Sequence, residues 1–158
     1  MDVDSAEDVP EVDLDSACGD AAPVLLRWFQ DPPAIIGSGG GELSPAHLAS
    51  FHDAVASSLS ELAHPSLGEE FIALVTTAAM EPREPILILA LPKTQHERVP
   101  ETLASLLDDP TVAAFAIKAL SRLKHTPALP VIQDLTGSED ENIRHEARKA
   151  AKRLSSLT

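Results

Sequence analysis

Asp109-Pro110-Thr111-Val112-Ala113-Ala114-Phe115-Ala116-Ile117-Lys118-Ala119-Leu120-Ser121-Arg122-Leu123 can be laid over Asp140-Glu141-Asn142-Ile143-Arg144-His145-Glu146-Ala147-Arg148-Lys149-Ala150-Ala151-Lys152-Arg153-Leu154, position for position and with no gap. Val112 falls on Ile143, Ala116 on Ala147, Ala119 on Ala150, Leu120 on Ala151 and Leu123 on Leu154. Each matched position is apolar or small. The spacing i, i+4, i+7, i+8, i+11 is one face of a 3.6-period helix. A period of this size marks stacked helical hairpins, because one repeat cannot bury its apolar face alone. The pattern therefore predicts an all-α fold, with two equivalent amphipathic helices lying side by side through their alanines.

Outward from the repeat, the punctuation is that of short helices. Thr126-Pro127 starts one carrying Leu129, Ile132 and Leu135, and Gly137 suits the position after its end. Ser138 and Glu141 read as a capping box for the last helix. Asp109, with Pro110 at the first helical position, reads as the cap of the first copy. Val99-Pro100-Glu101 opens a helix with Leu103, Leu106 and Leu107 inward. Ser44-Pro45 opens another, with a stripe of Leu48, Phe51, Val55, Leu59 and Leu62, ended by His64-Pro65. Ser66 and Glu69 suggest a capping box for a helix with Phe71, Ile72, Leu74, Val75, Ala78 and Ala79, paired antiparallel with the preceding one. The run Ile86–Leu91 is strand-like by composition, but no second strand exists to satisfy its backbone, so a short buried helix is expected. Val24–Phe29 gives one or two helical turns stopped by Asp31-Pro32-Pro33, with Trp28 and Phe29 packing on the first hairpin.

A short helix, an acidic turn often with Pro, then apolar-x-x-x-Ala-x-x-Ala-Leu/Ala-x-x-Leu resembles a HEAT-like repeat, of the armadillo and phycobilisome-lyase type. Asp108-Asp109-Pro110-Thr111-Val112, Ala116, Ala119, Leu120 and Leu123 carry the resemblance. Asp140, Ile143-Arg144, Ala147, Ala150 and Leu154 carry it in the second copy. The likeness is good over residues 100–157 and looser before them. Arg144 matches the family's Arg after the first apolar residue, and Ala113 does not. What the resemblance implies is a short solenoid of antiparallel helix pairs acting as an interaction scaffold or adaptor. Some bilin lyases share the fold, but a lone Cys18 in an acidic segment and the absence of Tyr lend that activity no support.

The chain of 158 residues suits one domain, and 44% apolar with 23% charged residues is ordinary for a globular protein. The expected division is an acidic, disordered arm over residues 1–22 and a single helical domain over residues 23–158. The arm holds eight acids and no Lys or Arg, out of a net charge of −13. It reads either as a solubilising tail or as a docking segment. One cysteine gives no intrachain disulfide, no secretory signal is apparent, and the longest apolar run is too short to span a bilayer. A cytoplasmic protein without membrane attachment is the expectation.

Catalytic, metal and cofactor sites are not expected. His47 and His52 are five apart and do not share a helix face. Gly37-Ser38-Gly39-Gly40-Gly41 is followed by no Gly-Lys-Ser/Thr, so it reads as a loop and not as a phosphate cradle. The Glu69-Glu70 and Asp108-Asp109 pairs complement helix dipoles. The last helix is the basic exception. With Arg144 as the origin of a helical projection, Arg148 lies at about 40°, Lys152 at about 80°, Lys149 at about 140° and Arg153 at about 180°.

The favoured reading is a non-enzymatic protein–protein interaction module. An acidic inhibitor of the immunity-protein kind, bound to a basic partner, is one concrete form. Its candidate contact residues are Trp28, Asp108, Asp109, Glu139, Asp140, Arg144, Arg148 and Lys152. The alternative is nucleic-acid or phospholigand binding through the basic helix, as in HEAT-like DNA glycosylases. The charge of −13 and the scarcity of aromatics count against it. A basic helix covered by the chain's own arm, and dimerisation through an open end of the stack, are further possibilities that the sequence leaves open.

Overall fold

Eight α-helices and no strand make up the described residues of this computed structural model, which are 14–31, 45–77 and 85–157. The helices are α1 Leu14–Gln30, α2 Pro45–Glu61, α3 Gly68–Thr76, α4 Pro85–Thr94, α5 Val99–Ser105, α6 Ala113–Arg122, α7 Leu129–Asp134 and α8 Glu141–Ser155. Most of the acidic arm, the glycine loop at 37–41, the cap position Ser44 and the residues Ala78 and Ala79 lie outside the described residues.

The repeat is packed as its spacing requires. Val112, Ala116, Ala119 and Leu120 are buried, and so are Ile143, Ala147, Ala150 and Leu154. α6 and α8 lie against each other, and the small side chains along both are what permit a close approach. Leu120 is fully buried, whereas its echo Ala151 is only half-buried. The difference follows from position: α6 has α4 on one flank and α8 on the other, while α8 packs mainly on α6, α7 and the 3₁₀ turn that follows α7.

The long helices touch in succession, α1 on α2, α2 on α4, α4 on α6 and α6 on α8. The shorter ones fill in beside them: α3 against α4 and α5, α5 against α6, and α7 against α8. One apolar cluster runs through all of them, from Leu26 and Phe29 in α1 to Leu154 in α8. Each large side chain buried in it contributes about 1.5–3 kcal/mol. α4 sits in the middle of this succession, with Leu87, Ile88 and Leu91 fully buried. A helix enclosed by α2, α3 and α6 must be apolar nearly all round, which accounts for a run that resembles a strand in composition.

Several expectations about helix ends and pairing need correction. α1 begins at Leu14, inside the segment assigned to the arm, and buries Ala22, Leu26 and Phe29 at i, i+4, i+7. α2 has α1 and α4 as its main neighbours, not α3. Ser66 does not cap α3: Pro65–Leu67 forms a 3₁₀ turn, and the His64 ring nitrogen Nδ1 accepts from the Ser66 N–H at 3.4 Å. Asp140, not Ser138, caps α8, its Oδ1 accepting from the N–H groups of Asn142 (2.8 Å) and Ile143 (3.0 Å). Asp109 instead folds a local turn, accepting from the Thr111 N–H at 3.0 Å and its hydroxyl at 2.6 Å, so α6 starts only at Ala113. In these three cases a turn before the helix displaced the cap, by one residue to Leu67, by two to Asp140 and by three to Val112.

Gly137 closes a 3₁₀ turn without a positive φ. Two described non-glycine residues are left-handed, Gln95 (φ 51°) before α5 and Lys124 (φ 57°) at the end of α6. There the His125 N–H reaches the Leu120 carbonyl at 3.1 Å, and the Lys124 N–H reaches that of Ser121 at 3.2 Å. This is the paired closure that normally employs glycine. Lys124→Gly removes the Cβ strain and is expected to stabilise the fold by about 1 kcal/mol, read as a higher urea midpoint at unchanged slope.

Candidate partner-binding groove

The first turns of α6 and α8 flank an open groove of about 400 Å³. Pro110, Thr111, Ala114, Phe115 and Lys118 line one side, and Asp140, Asn142, Ile143 and Glu146 line the other. The start of one helix faces the start of the other, so the two run in the same direction. Two of the lining pairs are repeat equivalents, Thr111 with Asn142 and Phe115 with Glu146.

The floor is apolar. Ile143 is buried, while Ala114 and Phe115 are half-buried and offer their surfaces to the groove. The rim carries charge. Asp140 keeps its carboxylate at the mouth while one oxygen caps α8. Glu146, half-buried, stands about one and two-thirds turns further along, and Lys118 closes the opposite wall. Neither Asp140, Glu146 nor Lys118 forms an ion pair with another described residue. An alkyl stem laid over Ala114, Phe115 and Ile143, ending in a cation between Asp140 and Glu146, would satisfy both floor and rim. The Phe115 ring adds a face to which a cation is attracted.

The residues singled out from sequence fall in three places. Asp140 belongs to the groove. Asp108 and Glu139 are exposed on the two turns that precede α6 and α8, and Asp109 is half-buried in the first of them. Arg144 is not a free cation: its Nη1 donates to the carbonyls of Ser138 (2.7 Å) and Glu139 (3.1 Å), tying the turn to α8. Arg148 and Lys152 are exposed on the side of α8 away from the groove. Trp28 is at the far end of the succession of helices, 39% exposed, its ring 6.3 Å from that of Phe51. Phe115, Lys118 and Glu146 were missed. Their shared register in the repeat, Phe115 against Glu146, was the available signal.

The histidines divide between roles. His64 caps a turn, and His96 Nε2 meets Glu69 Oε1 at 3.2 Å. His52 is half-buried beside Phe29 and Phe51, and its Nε2 has no hydrogen-bond partner among the described residues. Glu69 also accepts from Arg98 at 3.0 Å, joining the start of α3 to that of α5. Both partners are well exposed, so this pair is worth at most about 1 kcal/mol. No group of three or more potential metal ligands occurs among the described residues, and no helix among them is long and apolar enough to cross a membrane. No protein-family model, curated protein or solved structure matches this chain.

Proposed function

We propose that this chain is a non-enzymatic HEAT-like interaction module whose α6–α8 groove takes a basic side chain from a partner protein. The observation that carries the reading is the groove itself: an apolar floor with two carboxylates at its rim, neither in an ion pair with a described residue. The succession α2, α4, α6, α8 with short helices alongside supports a solenoid of helix pairs, an architecture that serves mostly as scaffold. The net charge of −13 steers a basic partner inward, and an acidic inhibitor of the immunity-protein kind is the form that fits best.

Affinity capture from the native host, with wild type and Glu146→Lys side by side, tests the reading. Wild type is expected to retain a basic protein at low salt and to release it at high salt. Glu146→Lys is expected to weaken retention about tenfold or more, since a like charge replaces an attractive one at the groove. Capture unaffected by both salt and the substitution would overturn it.

A second reading is nucleic-acid or phospholigand binding through α8. Arg148, Lys149, Lys152 and Arg153 are exposed and form no ion pair with a described residue, which favours it. The commitment of Arg144 to backbone carbonyls and the overall charge disfavour it. No shift of DNA or RNA at low salt would end this reading.

A further inference from the structure

The repeat aligns more than its apolar face. In the same register, Lys118 falls on Lys149 and Arg122 on Arg153. Lys118 and Glu146 line the groove. Arg122 stands one turn beyond Lys118, and Lys149 and Arg153 follow Glu146 along α8 by one turn and two. At 100° per residue Arg122 lies about 40° from Lys118, and Lys149 and Arg153 lie about 60° and 20° from Glu146, so the four cations extend these two helix faces toward the C-termini. Parallel helices about 8–10 Å apart set them in two rungs, and one turn separates the rungs by about 6 Å. Arg122, Lys149 and Arg153 are exposed, Lys118 is half-exposed, and none forms an ion pair with a described residue.

We propose that this four-cation ladder is the docking site of the chain's own acidic N-terminal segment, residues 2–13. The segment carries Asp2, Asp4, Glu7, Asp8, Glu11 and Asp13, and no Lys, Arg or His. In extended chain, carboxylates two positions apart, as in Asp2 and Asp4, are about 7 Å apart on one side, close to the spacing of the rungs. From α1 to α6 is three helix spacings, about 24–30 Å, and to α8 four, about 32–40 Å, while the stretch from Asp2 to Leu14 extends to about 40–43 Å. Tethering still favours the chain's own segment over separate polyanions, which must approach a chain of charge −13 unaided. The proposal is independent of what the groove binds.

The test uses the full chain with a nitroxide on Ser5→Cys in a Cys18→Ser background, so that every arm carboxylate is kept. At about 20 mM salt the amide signals of residues 118–122 and 149–153 are expected to lose at least half their intensity relative to the reduced label, and to regain it at about 500 mM. Lys149→Glu with Arg153→Glu, in a protein whose remaining spectrum is unchanged, is expected to abolish the loss. Equal signal loss with and without these charge reversals would overturn the proposal, as would no loss at low salt. Loss that appears only between spin-labelled and isotope-labelled copies in mixture would assign the ladder to a second copy and overturn it too. Binding of a short DNA duplex at the ladder with the arm silent would assign it to nucleic acid.

Discussion

Leu120→Ala is expected to remove about 2–5 kcal/mol of folding stability, the range for a leucine truncated inside a packed core. Leu120 has no exposed surface, and α6 is held between α4 and α8, so the surroundings cannot collapse into the space without moving two helices. Its echo supplies an internal control. Ala151 occupies the same repeat position on α8 but is half-buried at the edge, so Ala151→Ser should change stability by no more than about 0.5 kcal/mol. Urea unfolding followed by circular dichroism reads both. Equal effects at the two positions would contradict the placement of α8 at the end of the succession.

Gly68→Ala should destabilise by about 1–3 kcal/mol, against the usual preference of a helix for alanine. A Cβ at Gly68 would lie 2.5 Å from the Cβ of His96 and 2.7 Å from its Cγ and Cδ2. The first of these atoms is fixed to the backbone and cannot swing aside. His96 is held there from several directions: Gln95 before it takes a left-handed turn (φ 51°), its carbonyl accepts from Val99, and its ring meets Glu69. His96→Gly removes the obstructing atoms. The double variant should therefore be more stable than the two single losses added together, by at least about 1 kcal/mol. Strict additivity in that cycle would show that the loss has another origin.

The helices were legible where periodicity spoke over a long enough window. α6 and α8 could be read from their matched apolar positions, and α4 from the absence of any strand to pair with Ile86–Leu91. Helix starts were less legible, because Ser, Asp and Glu near a start satisfy several hydrogen-bond schemes that differ by two or three residues. Asp109 and Asp140 are repeat equivalents, yet one folds a turn and the other caps a helix. The reversal at Lys124 gave no signal, since neither glycine nor asparagine marks it. α1 reached back to Leu14 because Ala22, Leu26 and Phe29 share a face that the acidic composition around them obscured. The groove was the least legible feature. It exists only when α6 and α8 pack together, so Phe115 and Glu146 are linked in the sequence by their shared repeat position and by no local pattern. Arg144, chosen for its charge, spends that charge on two carbonyls nearby.

The parallel, in-register packing of α6 on α8 underlies both the groove and the cation ladder, and methyl nuclear Overhauser spectroscopy examines it directly. Contacts joining the start of α6 (Val112, Ala113, Ala116) to the start of α8 (Ile143, Ala147), and the end of α6 (Ala119, Leu120) to the end of α8 (Ala150, Leu154), are the predicted result. Cross-peaks in the reverse order, Val112 to Leu154 and Leu120 to Ile143, or none between the two helices, would contradict it.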